Sequence, residues 1–185
     1  MPFQVPRERM GALLVSGAGL LNALQALLLM AGVFDHWSYA SLAFTAVLLL
    51  ALTGGIHATA PQKHPLATAL CAIGTALVGI SIPWGDIVPG RFLAIDLDGW
   101  MLYLAGHMVF LAGLAAGWWG TKLRVRLALV LIGVALVLGK MSELAAYDGG
   151  QAGWLELAAP LLTLAAGLLL VVSTWRPKGS GPVAG

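Results

Sequence analysis

Gly139-Lys140-Met141-Ser142-Glu143 puts a cation and an anion near the end of an apolar run that begins about Leu127. A charge at the centre of a bilayer-spanning helix costs about 2.5–3.5 kcal/mol on insertion scales. Lys140 and Glu143 are three residues apart, so on a helix they share a face and offset part of that cost for each other. Two further titratable groups, His107 and Glu156, fall inside other apolar runs. The rest of the chain reads as a frame around these groups.

Composition sets the class. The 185 residues are 59% hydrophobic and 10% charged, with a mean hydropathy of +0.90. A soluble domain carries about 25% charged residues. The expectation is an all-α, polytopic integral membrane protein. The net charge of +2 carries no nucleic-acid signal, because in such a chain the sidedness of the charges is what matters. A single cysteine, Cys71, excludes an internal disulfide, a CxxC redox pair and a cysteine-cluster metal site.

A spanning helix needs about 20 mainly apolar residues. Six runs qualify: 11–33, 39–58, 66–84, 100–119, 127–147 and 152–175. Together they form one six-helix transmembrane domain over 1–175, followed by a Gly- and Pro-rich tail, 176–185, read as flexible and cytoplasmic. The first run is longer than the roughly 7–15 apolar residues of a signal peptide, so it reads as a retained helix.

Six spans put both termini on one side. With that side cytoplasmic, Arg7, Arg9, Lys63, Lys122, Arg124, Arg126, Arg176 and Lys178 are inside, against Arg91 and Lys140 in the outer half. Basic residues concentrate on the cytoplasmic side of spanning helices. Trp37, Trp84, Trp100 and Trp154 then mark outer ends; Trp118, Trp119 and Trp175 mark inner ends. Tyr39, Tyr103 and Tyr147 read as part of the outer belt. Richness in Ala, Leu and Gly with short loops suggests a bacterial inner membrane.

With a rise of 1.5 Å per residue, His107 and Lys140 lie roughly 10 Å below the outer edge, and Glu143 and Glu156 roughly 5 Å. Asn22 and Gln25 lie deeper, in the first span. Polar groups in hydrocarbon face the bundle interior and pair with one another. The expectation is an outward-opening pocket lined by His107, Lys140, Glu143 and Glu156, with Asn22 and Gln25 at its floor. Asp86, Asp96 and Asp98, in the link between the third and fourth runs, are a candidate lid. The bland alternative is that Lys140 snorkels to the headgroups.

Other chemistry finds little footing. Asp-x-Asp in an acidic loop is a weak cation signal, and no metal site or cofactor is expected. His107 has no second intramembrane histidine to share a haem. A Ser142–Lys140 dyad fails because residues two apart on a helix do not face each other. Gly113 and Gly117 form a GxxxG, and Ala12 and Ser16 a small-xxx-small pair; both read as packing positions inside the bundle.

In length and span count the chain resembles the substrate-binding subunits of energy-coupling-factor vitamin transporters. That resemblance implies six helices, an outward-opening ligand pocket and a first helix that docks on a partner through small residues. Ala12 and Ser16 are the loose counterpart here.

The leading expectation is a non-enzymatic protein that binds or translocates a small polar solute or a proton. One alternative is an accessory subunit packed on a larger membrane protein or on its own copies. The other is a membrane enzyme using His107 with Glu143 or Glu156 as acid and base. Lipid is the expected surrounding, and nucleic acid is not an expected partner.

Overall fold

A computed structural model describes residues 6–33, 38–59, 65–87, 99–119, 121–147 and 154–175, without the side chains of 83–87 and 146–147. The described residues form six α-helices: α1 Arg7–Met30, α2 Tyr39–Thr59, α3 Pro65–Ile87, α4 Gly99–Ala116, α5 Leu123–Tyr147 and α6 Trp154–Thr174. Each is long and apolar enough to cross a membrane.

The element starts follow local chemistry. Pro6 sits just before α1 and Pro65 opens α3; a proline has no amide to lose at a helix start, and its φ is already helical. α1 closes on Gly32 at φ 67, a left-handed value that a residue without Cβ adopts freely. Its last carbonyls are met by the amides of Gly32 and Val33. α4 stops at Ala116, three residues before the end of its apolar run at Trp119, and the Trp118 amide turns back to the Ala115 carbonyl.

Each helix packs antiparallel on its neighbour in the chain, and α6 returns to α1, so the six close into a ring. The close approaches are made by glycines. A Cβ on Gly74 of α3 would lie 2.6 Å from the Gly106 carbonyl and the Phe110 amide of α4. One on Gly113 would lie 2.6 Å from Cys71 Sγ. Gly113 of the Gly113–Gly117 pair therefore packs inside the bundle. The same device joins α1 to α2 through Gly11 and Gly55, and α1 to α6 through Gly19 and Gly167, the latter against Ser16. Small residues let helix backbones approach and make extensive van der Waals contact. The seam between α4 and α5 is much the least extensive of the six.

The core formed by these contacts contains Ala12, Val15, Leu49, Leu52, Ile56, Phe110, Ile132 and Leu170. Outward faces carry Leu20, Leu27, Leu50, Leu66, Met108, Leu161 and Leu168, all exposed. The helices are thus apolar on both faces, the pattern of a helix buried in protein on one side and suited to lipid on the other.

Charges divide between the two ends of the ring. At the end where α1 begins, Arg7 donates to His57 Nε2 at 2.5 Å. There too Arg9 lies over Trp175 and Arg126 over Trp118, at 5.0 and 5.8 Å from the ring centroids. Arg126 Nε also donates to the Thr121 carbonyl. The opposite end, where α1 finishes and α6 starts, holds Lys140, Glu143 and Glu156.

Candidate functional site

The seam left open between α4 and α5 is where the polar side chains gather. Helical spacing aligns Lys140 and Glu143 on one face of α5, and Lys140 Nζ reaches Glu143 Oε1 at 2.5 Å and Oε2 at 2.6 Å. On α4, Tyr103 and His107 are four residues apart and so share a face. Tyr103 leans across the seam: Lys140 Nζ donates to its hydroxyl, and the hydroxyl donates to Glu143 at 3.2 Å. The ammonium also lies 4.1 Å from the Tyr103 ring centroid, close enough for the ring's negative face to attract it. Three N–H donors, one hydroxyl and one carboxylate thus satisfy one another. The pair is only 18% and 14% exposed, and mutual satisfaction is the condition under which buried charges are tolerated.

His107 sits one turn deeper and is 2% exposed. Its ring meets the Tyr103 ring edge-on at 4.5 Å. Nδ1 lies 2.8 Å from the Tyr103 carbonyl. A carbonyl only accepts, so Nδ1 carries the proton and Nε2 presents a lone pair in the neutral ring. Among the described residues Nε2 has no hydrogen-bond partner. Neither Glu143 nor Glu156 reaches it.

From α1, Gln25 Nε2 donates to the Ser41 carbonyl at 3.1 Å, to Ser41 Oγ at 3.0 Å and to Thr45 Oγ1 at 3.3 Å. A carbonyl only accepts, so the amide nitrogen is the end of Gln25 that meets α2. Thr45 itself donates to the Ser41 carbonyl, as threonines in helices commonly do.

These groups surround one cavity of about 70 Å³. All six residues singled out from the sequence line it: Asn22 and Gln25 from α1, His107 from α4, Lys140 and Glu143 from α5, and Glu156 from α6. Ser142, 2% exposed, lines it as well, and its Oγ is a second buried polar atom with no partner among the described residues. Of the candidate lid, Asp96 and Asp98 lie outside the described residues, as does the side chain of Asp86. Among the described residues no group of three His, Cys, Asp or Glu side chains could hold a metal. His57, the other described histidine, is at the far end against Arg7 and Thr68.

Sequence reasoning missed Tyr103 and Ser142. Tyr103 passed for an interfacial anchor, although its four-residue spacing from His107 was a usable signal. Ser142 was considered only against Lys140, to which it makes no bond. Its burial toward the cavity depends on the rotation of α5, which no local pattern in the sequence encodes.

The size of the cavity bears on the likeness to vitamin-binding subunits. Pockets for drug-sized ligands span about 300–1,000 Å³, several times the space found here. That likeness accordingly rests on length and helix count alone. Set against protein-family models, characterised proteins and solved structures, the chain matches none.

Proposed function

We propose that this chain is an integral protein of a bacterial plasma membrane with both termini cytoplasmic, and that its cavity opens outward and binds or passes a small polar solute or a proton. The single observation that carries the reading is the convergence of six polar side chains from four helices on one cavity, with His107 Nε2 and Ser142 Oγ buried beside it and unpartnered among the described residues. Buried polar atoms are nearly always hydrogen-bonded, so each exception calls for an explanation. A ligand or water that completes them is the simplest one.

The orientation is supported by the charge division. Arg7, Arg9 and Arg126 cluster with Trp118 and Trp175 at the end opposite Lys140, in keeping with the positive-inside rule. Below the cavity the ring is filled by Val15, Leu49, Leu52, Phe110 and Ile132. A solute entering from outside would therefore stop there unless the helices move.

Native mass spectrometry of the protein, extracted gently from its own membrane, tests the reading. The expected result is a small ligand retained by the wild type and lost in His107→Phe, which removes the Nε2 unpartnered among the described residues. Co-extraction of a stoichiometric larger protein with no small ligand would contradict it and favour an accessory role.

A further inference from the structure

We infer that the cavity selects an uncharged hydrogen-bond donor, a small amide of a few non-hydrogen atoms, over an anion. The inference rests on the proposed pocket and narrows what that pocket accepts.

Charge comes first. Four ionisable or cationic groups border the cavity on the elements packed around it: His107 from α4, Lys140 and Glu143 from α5, and Glu156 from α6. Lys140 and Glu143 are spent on each other and on Tyr103. They offer a ligand neither a free ammonium nor a free carboxylate. An anion would meet the Glu143 and Glu156 carboxylates and the lone pair of His107. Burying an unpaired charge is heavily penalised, whereas burying a neutral polar group is not once its hydrogen bonds are made.

Hydrogen-bonding capacity comes next. His107 Nε2 can only accept in the neutral ring, because Nδ1 holds the proton against the Tyr103 carbonyl. Gln25 lines the cavity with its amide nitrogen engaged by Ser41 and Thr45, and its Oε1 can only accept. Ser142 Oγ can do either. The complement is a molecule with at least two donors and one acceptor.

One water needs roughly 10–15 Å³ of such space, so a cavity of about 70 Å³ holds a handful of waters or one molecule the size of urea.

The test is 15N solid-state NMR of the full chain in lipid bilayers, with labelled histidine and with His36, His57 and His64 replaced by Gln so that only His107 reports. Urea and sodium formate are added in turn at millimolar concentration. The expected spectrum has Nδ1 protonated and Nε2 bare. Urea shifts the Nε2 resonance saturably; formate does not. Ser142→Ala weakens the urea response about tenfold while leaving the His107 tautomer unchanged.

A response to formate in place of urea overturns the inference and leaves the polar pocket standing. A proton on Nε2 in the free protein also overturns it. Silence to both probes overturns it too. In that case a ligand mass in the native spectrum would preserve the broader reading, and its absence would remove both.

Discussion

Helix α4 has two faces that solve opposite problems. Toward α3 it offers Gly106 and Gly113, and the two backbones touch: Gly74 and Gly106 each point at the other's carbonyl within 3 Å of where a Cβ would be. Toward α5 it offers Tyr103 and His107, the helices stand apart, and polar side chains bridge the gap. The first face has no room for chemistry. The second has room because it gives up close packing.

The comparison can be broken most severely from the tight side. Gly74→Leu would drive a side chain into the Gly106 carbonyl and the Phe110 amide, both immobile backbone atoms. Overpacking costs typically about 1–3 kcal/mol and more where backbone must move, so we expect a loss of at least about 3 kcal/mol. Thermal unfolding in detergent, with the yield of monodisperse protein, is the readout. A variant that melts like the wild type would mean that α3 and α4 are not in backbone contact.

On the loose side, Lys140→Leu strands the Glu143 carboxylate. Removing one member of a fully buried pair costs about 3–5 kcal/mol. The exposure of 18% and 14% left to this pair lowers the expectation to about 2–3 kcal/mol. Removing both, as Lys140→Leu with Glu143→Leu, should be milder than either single change. A double-mutant cycle on unfolding free energies checks this, and strict additivity would show that the pair is not coupled.

Tyr103→Phe is a smaller perturbation. It keeps the ring under Lys140 and removes the hydroxyl between the two charges. Hydrogen bonds to charged groups contribute about 1.5–3 kcal/mol; two partners that retain each other suggest the low end, near 1.5 kcal/mol. The smallest effect belongs to Gly79→Ala on α3, where nothing lies within 4 Å of the added methyl. Its helix propensity predicts a neutral to slightly stabilising change, under about 1 kcal/mol. Side by side, Gly74 and Gly79 separate a packing glycine from a permissive one on a single helix.

How much of this was readable beforehand follows from which physics is local. Six apolar runs gave six helices because run length and composition are local properties of the chain. The ends shifted where caps decide them: α1 starts at Arg7, four residues before its apolar run, because the first helical turn tolerates Arg and Glu. Lys140 and Glu143 were legible as a pair because their spacing is itself the contact. That Asn22, His107 and Glu156 border the same cavity depends on helix order and rotation. Depth alone made it plausible, since groups at one level in a narrow ring have few other places to point. Tyr103 escaped because tyrosine near a helix end has an ordinary role as an interfacial anchor, and only the partner on α5 distinguishes the two.

The central claim is an outward-opening cavity in a six-span bundle, and side-specific thiol labelling tests it most directly. With Cys71→Ala as background, Glu156→Cys probes the mouth of the cavity and Lys122→Cys the opposite end. A membrane-impermeant maleimide applied to intact cells should label Glu156→Cys and spare Lys122→Cys, and inverted vesicles should reverse the pattern. Labelling of Lys122→Cys from outside, or of both positions from the same side, would contradict the account.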